Sequence, residues 1–75
     1  MKIANVFSNV FSVPLESITD ELELKTIPSW DSMTHMILIT RLEEEFQVQL
    51  TGDEIADIVT VGDARRFIHG HGVEV

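Results

Sequence analysis

The stretch that decides the fold is WDSMTHMILITRLEEEF, residues 30–46. Asp31 is a good helix cap, and the side chains after it recur at helical spacing, roughly 100° per residue. One stripe forms the expected core face: His35, Leu38, Ile39, Leu42 and Phe46. Another set faces away from that core: Met33, Met36, Ile37 and Thr40. The sequence therefore predicts a long helix that packs on one side and docks on the other, with Ser32 at its start.

Three further helices are predicted around this one. Residues 2–12 carry apolar side chains at helical spacing, and a proline two positions later favours an end near Ser12. Thr51 and Thr60 each open a capping pattern, which predicts a short third helix and a fourth that ends at Gly70. The third helix is expected to carry Ile55, Ala56, Ile58 and Val59. The fold class is thus an all-α four-helix bundle.

A long acidic loop is predicted between the first two helices, over residues 13–28. Its apolar side chains keep neither a helical nor a strand period, so we expect them to be pinned onto the helices, with one short helical turn. A strand is the alternative, since residues 22–25 alternate, but no second strand of similar quality is available to pair with it. The glutamates at 43–45 are expected to form a solvated helix end, with Arg41 placed to pair with them.

The composition indicates one small domain, residues 1–75, with a frayed tail at 71–75. An apolar fraction of 44% is enough for a core, and the absence of cysteine excludes disulfides and protein thiol chemistry. No apolar run is long enough to span a membrane, and the start lacks a signal-peptide pattern. We therefore expect a cytoplasmic location.

The net charge of −8 bears on partners. A polyanion such as nucleic acid would be repelled, so nucleic acid is not an expected partner. A basic surface on another protein is the natural complement.

Two catalytic or metal-binding interpretations are weak. Asp31, Ser32 and His35 are the residue types of a nucleophilic triad, but His35 lies on the core stripe and a bundle this small has little room for an oxyanion hole. His69 and His71 lie near a floppy end and lack further ligands. We predict neither a catalytic site nor a metal site.

Ser32 is better suited to modification. It lies in the first turn of a helix, where the positive end of the dipole favours a phosphate. Met33, Met36 and Ile37 beside it would form an adaptable apolar contact zone. The alternative is that Ser32 only helps to cap the helix and that the methionines belong to a wider core.

The tripeptide Asp31-Ser32-Met33 resembles the Asp-Ser-Leu signature of acyl carrier proteins. The resemblance extends to the LEEEF at residues 42–46, the TVGDA at residues 60–64, and the first helix with its acidic loop. It implies a four-helix bundle with a short third helix. It also implies that Ser32 bears 4′-phosphopantetheine, moved from coenzyme A by a separate phosphopantetheinyl transferase, with Asp31 important for recognition by that transferase. Such a protein is a carrier and not an enzyme.

The resemblance also implies that Met33, Met36 and Glu44 lie on the face that partner enzymes recognise. Ile37 is added to this face because helical spacing places it beside Met33 and Met36. The expected partners are the transferase and acyl-loading and acyl-processing enzymes with basic docking patches, which act on a monomer.

Thr34, His35 and Ile37 stand where carriers of fatty-acid synthesis are usually acidic or polar, which favours a dedicated pathway. Two alternatives stay open: a carrier of aminoacyl or peptidyl groups, and a small helical interaction module without a prosthetic group.

Overall fold

The computed structural model describes residues 3–74 and consists of four helices. They are α1 (Ile3–Phe11), α2 (Ser32–Phe46), α3 (Gly52–Asp57) and α4 (Val61–Gly70). The all-α prediction, with a short third helix, is confirmed. Two predicted segments extend beyond the described range: residue 2 of the first helix and residue 75 of the tail lie outside it.

One core joins the four helices and the long loop. α1 buries the stripe that its spacing predicts, and Val10 packs half-buried against it. α2 contributes three buried side chains, Leu38, Ile39 and Leu42, while Phe46 lies half-buried at the edge. The core face predicted for α2 is therefore confirmed.

The C-terminal ends of α1 and α2 both follow from local backbone geometry. α1 ends at Phe11 because Ser12 turns into the left-handed region, at φ 56°. The Ser8 hydroxyl then donates to the carbonyl of Val13 at 2.6 Å, which closes the end. α2 ends in the same way, with Gln47 at φ 56°. A non-glycine residue there is uncommon, so each turn is held by its surroundings.

The loop between α1 and α2 is more ordered than predicted. It contains two 3-10 turns, Leu15–Ser17 and Leu24–Thr26, where one helical turn was expected. Its apolar residues are pinned as predicted, with Leu24 and Ile27 buried in the core. The loop crosses the chain before α4, where an isolated antiparallel bridge pairs Glu23 with Thr60.

This bridge joins the loop to the chain before α4, although residues 22–25 form no strand. The N–H of Leu24 donates to the carbonyl of Val59 at 2.9 Å, and the N–H of Val61 donates to Leu22 at 3.1 Å. Gly62 then approaches so closely that an added Cβ would lie 3.0 Å from the Asp20 carbonyl oxygen. Pairing of this kind joins residues far apart in sequence, so alternation within one segment could not reveal it.

The short helix α3 is capped as predicted but ends earlier. The Thr51 hydroxyl accepts from the N–H of Glu54, and the Glu54 carboxylate accepts from the N–H of Thr51. The prediction that Ile58 and Val59 belong to this helix was wrong, because α3 stops at Asp57. Ile58 is buried beyond the helix end, where its extended backbone turns the side chain into the core.

The start of α4 is fixed by Thr60 and Asp63. The Thr60 hydroxyl accepts from the N–H of Asp63, whose carboxylate accepts from the N–H groups of Thr60 and Val59, each at 3.0 Å. Partial burial raises the pKa of Asp63, but these backbone hydrogen bonds and the Arg66 guanidinium outweigh it, so the pKa is lowered overall. The second predicted cap is therefore confirmed, and α4 ends at Gly70 as expected.

Two surface predictions need correction. Glu43 is not merely solvated, because its carboxylate accepts from the N–H of Leu50 at 2.9 Å and so ties the end of α2 to the next segment. Arg41 forms no ion pair with the adjacent glutamates within residues 3–74. Such exposed pairs gain little energy against the side-chain entropy they cost, so spacing alone does not ensure them.

Candidate functional site

Ser32 is the first residue of α2, and its position follows from the cap in front of it. The Asp31 carboxylate accepts from the N–H of Thr34 at 2.8 Å, and the Thr34 hydroxyl accepts from the N–H of Asp31 at 2.8 Å. This reciprocal cap fixes the direction in which the helix starts. Ser32 is exposed, and its hydroxyl has no hydrogen-bond partner among residues 3–74. The hydroxyl is therefore presented to solvent from a rigid base.

The cap also sets the charge beside Ser32. The hydrogen bond from the N–H of Thr34, with further help from the Thr34 hydroxyl, lowers the pKa of Asp31. Asp31 is consequently a carboxylate throughout the neutral range and occupies the N–H of Thr34. A phosphate on Ser32 would thus be held by the positive end of α2 rather than by that N–H group.

A chain of three hydrogen-bonding groups lies behind Ser32. The indole N–H of Trp30 donates to Nδ1 of His35 at 3.1 Å, and Nε2 of His35 lies 3.0 Å from the carbonyl oxygen of Ile55. The two rings meet edge to face, with centroids 5.9 Å apart. His35 is half-buried as predicted, but its contact with Ile55 could not be inferred from the sequence, since the two residues are twenty positions apart.

A cleft of about 450 Å³ opens on the α3 side of Ser32. Its lining is mostly apolar and comes from α2, from α3 with the segment after it, and from the second 3-10 turn. Leu24 and Ile58, both buried, contribute to the lining from the core. Met36 and Val59 also line the cleft and are exposed. This cleft could not be predicted from the sequence, because its opposite walls are distant along the chain.

A shallower groove lies on the opposite side of Ser32, along the outer face of α2. It is lined by Ser32, Met33, Met36, Ile37, Thr40 and Arg41. Met33 is 74% exposed, Met36 50% and Ile37 47%, so helical spacing placed these side chains correctly on the outside of α2. Glu44 is exposed as well and lies twelve residues after Ser32, about 18 Å along the helix at 1.5 Å per residue.

The geometry does not assemble a triad from Asp31, Ser32 and His35. Both ring nitrogens of His35 are engaged by Trp30 and Ile55, so the imidazole has no nitrogen available to accept a proton from Ser32.

The predicted C-terminal tail has contacts in the described range. Nε2 of His71 lies 3.0 Å from a carboxylate oxygen of Glu54, and Val73 packs partly buried against the core. The N–H of Thr51 and the His71 ring lower the pKa of Glu54. Fraying of the tail as a whole stays a prediction. Residues 3–74 contain no cluster of three side chains suited to hold a metal ion.

No helix between residues 3 and 74 is both long and apolar enough to cross a membrane.

Comparison with known proteins agrees with this geometry. The sequence profile of a family described as "PP-binding: Phosphopantetheine attachment site" matches residues 2–68. An acyl carrier protein of Beutenbergia cavernae is 40% identical over 60 residues, which cover 79% of this chain and 66% of that protein, slightly under two thirds of its length. An acyl carrier protein of Lactobacillus acidophilus is 34% identical over 70 residues, covering 93% of this chain and 88% of that protein.

The fold gives the same answer. A solved structure from Mycobacterium tuberculosis, described as a candidate acyl carrier protein, superposes with a TM-score of 0.83 and 26% identity and covers 92% of each chain. Proteins of this family work with a phosphopantetheinyl transferase and with acyl-processing enzymes, and they carry a group without catalysing its chemistry. This chain therefore belongs to the acyl carrier protein family and is a non-catalytic carrier with a 4′-phosphopantetheine prosthetic group.

Proposed function

We propose that Ser32 is the residue to which 4′-phosphopantetheine is attached, with Asp31 beside it as part of the surface that the transferase recognises. The observation that carries this proposal is the place of Ser32: an exposed hydroxyl at the first position of α2, at the junction of the cleft and the outer groove. A group fixed there can reach toward either hollow. A serine that only capped the helix would use its hydroxyl on backbone N–H groups, and that role belongs to Asp31.

The residues around Ser32 fit the prosthetic group. A phosphodiester on Ser32 would lie at the positive end of a helix of 15 residues, which favours negative charge. The arm supplies a thiol that a chain without cysteine lacks, so acyl groups would be held as thioesters. The protein's own residues hold the attachment point and shape the two adjacent hollows.

Partner enzymes would dock on the outer face of α2, through Met33, Met36 and Ile37 near the attachment point and Glu44 farther along. Exposed apolar patches of this kind mark interaction surfaces on small soluble proteins, and methionine adapts to differently shaped partners. The net charge of −8 favours basic patches on those partners. Only the transferase and acyl-handling enzymes are implied, and nucleic acid has no place among them.

The client pathway is proposed to be a dedicated one rather than ordinary fatty-acid synthesis. Three residues support this. Thr34 helps to cap α2, the half-buried ring of His35 bonds to the Ile55 carbonyl, and Ile37 is an exposed apolar side chain, where carriers of fatty-acid synthesis are usually acidic or polar. We place the protein in the cytoplasm, as a monomer in which residues 1–75 form one domain around one core. An aminoacyl or peptidyl cargo would use the same Ser32 and arm and is the second candidate. A module without a prosthetic group has no support from the family match.

Intact mass measurement tests the attachment site. The protein is incubated with coenzyme A and a broad-specificity phosphopantetheinyl transferase, and the wild type should gain the mass of one phosphopantetheine. Ser32→Ala should gain nothing, whereas Ser17→Ala should be loaded like the wild type, since Ser17 is exposed in the first 3-10 turn, in the long loop. Loading of Ser32→Ala, or none in the wild type, would disprove the proposal.

A further inference from the structure

His35 joins the two walls of the cleft beside Ser32. It lies on α2 and lines the cleft, while Ile55 lines it from α3. The bond between His35 Nε2 and the Ile55 carbonyl oxygen, at 3.0 Å, runs from one wall to the other. The distance between α2 and α3 is therefore fixed at this point by a side chain rather than by packing alone.

The Trp30 side chain determines which nitrogen of His35 carries the proton. An indole N–H can only donate, so Nδ1 of His35, 3.1 Å away, must be the acceptor. The hydrogen of the neutral ring then lies on Nε2 and is donated to the Ile55 carbonyl, which can only accept. Trp30 thus acts as a positioning residue, because it holds His35 in the one tautomer that can bridge the cleft.

Few other contacts hold α3 in place. It has six residues and none of them is fully buried, although Ile55 packs partly against the core. In the described chain, only two hydrogen-bonded contacts tie α3 to the other helices or the tail beyond its own cap: His35 with the Ile55 carbonyl, and His71 with Glu54. The His71 contact comes from the chain after α4, and His71 does not line the cleft. On the cleft side, His35 is the one polar group within residues 3–74 that keeps α3 against α2.

We propose that His35 is a specificity-determining residue that limits the size of the apolar cargo this carrier can shelter. This inference rests on the proposed attachment at Ser32. The cleft takes the proximal part of an acyl chain, since Ser32 lies on the edge of the cleft and the lining of the cleft is mostly apolar. A longer chain has to pass between α2 and α3. That passage requires the His35–Ile55 bond to break, which leaves the Ile55 carbonyl and the Nε2–H group of His35 without a partner in a partly buried place. Short acyl groups are sheltered, and the ends of longer ones stay in water.

Chain-length dependence of thermal stabilisation tests this inference. The transferase loads the protein from butyryl, hexanoyl, octanoyl, decanoyl and dodecanoyl coenzyme A, and the rise in Tm over the unacylated holo protein is measured for each. Sheltered methylene groups stabilise the folded state, because the bound chain leaves water only when the protein is folded. In the wild type the rise in Tm should level off within the series. His35→Phe keeps a ring and loses both hydrogen bonds. In this variant the rise in Tm should level off at a longer acyl chain than in the wild type, by at least one step of the series.

Three variants separate a size limit from a general loss of stability. His35→Gln retains a donor for Ile55 and should restore the wild-type chain length, whereas Trp30→Phe should move it in the same direction as His35→Phe. His69→Leu removes an exposed histidine of α4 and should leave the levelling point unchanged. If His35→Phe does not fold, His35→Leu takes its place.

A folded variant without the two hydrogen bonds that levels off at the wild-type length overturns the inference. So does a wild type with no chain-length dependence at all. Intact mass of each loaded sample distinguishes these results from a failure of the attachment proposal, because Ser32 is then visibly acylated while the His35 limit is absent.

Discussion

The two hollows beside Ser32 are built differently. The cleft has walls from three segments of the chain, residues of the core in its lining, and a hydrogen bond across it from His35. The outer groove is formed by the side chains of a single helix, and its apolar members are exposed. A rigid cleft suits the holding of a cargo of limited size. An adaptable groove suits brief contact with several enzymes in turn.

The largest expected difference between the hollows is in stability. Ile58→Ala removes a buried side chain from the cleft lining and should lower the free energy of unfolding by about 2–4 kcal/mol. Ile37→Ala removes the same atoms from the outer groove, where they are already 47% exposed, and should cost no more than about 0.5 kcal/mol. Urea denaturation of both variants measures the contrast. Equal losses would show that the outer groove belongs to the packed core.

Docking should show the opposite contrast. Ile37→Gln lies in the outer groove and should reduce kcat/KM of partner enzymes, first the transferase, by about tenfold, which corresponds to about 1.4 kcal/mol. Val59→Gln is the matched control, because Val59 is a similarly exposed apolar residue, at 49%, that lines the cleft instead. Its kcat/KM should stay within about twofold of the wild type. A larger loss for Val59→Gln would move the docking surface to the cleft side.

The outer groove was predictable from the sequence and the cleft was not. Placement of Met33 and Ile37 on the outside depends only on helical spacing, and the caps at Asp31, Thr51 and Thr60 are local patterns four residues long. Those features follow from a few neighbouring residues. They can therefore be predicted without any knowledge of tertiary contacts.

The cleft depends on contacts between segments that are far apart in the chain. The bridge between Glu23 and Thr60 sets the second 3-10 turn against the chain before α4, and it needs a register that no single segment contains. His35 was correctly expected to be half-buried, yet its partner is a backbone carbonyl, a group that every residue has. The early end of α3 follows from the same cause, since burial of Ile58 outweighs its apolar fit to the helix. Tertiary packing decides these features, and local propensity does not.

Acid should lower the stability of α2 and α3 through their helix caps, and this is the smallest of the three predicted effects. The carboxylates of Asp31 and Glu54 cap α2 and α3, and hydrogen bonds from backbone N–H groups lower the pKa of each. A carboxyl whose pKa is lower in the folded than in the unfolded state stabilises the fold above its ordinary pKa of about 4, and this contribution is lost as the pH falls through the lowered value. The free energy of unfolding should thus decline from about pH 5 downward.

Neutral isosteres divide that decline between the two caps. Asp31→Asn and Glu54→Gln keep side chains that can cap a helix at any pH, so each should flatten the fall in unfolding free energy between about pH 5 and 3. Glu16→Gln is the control, since Glu16 is exposed in the first 3-10 turn and its side chain accepts no hydrogen bond within residues 3–74.

Trp30, the only tryptophan of the chain, reports on the cleft by its fluorescence because its indole is hydrogen-bonded to His35. If the cleft is held mainly from the α3 side, Glu54→Gln should delay the acid change in Trp30 fluorescence more than Asp31→Asn does. The reverse order would mean that the start of α2, rather than the hold on α3, keeps the cleft in shape.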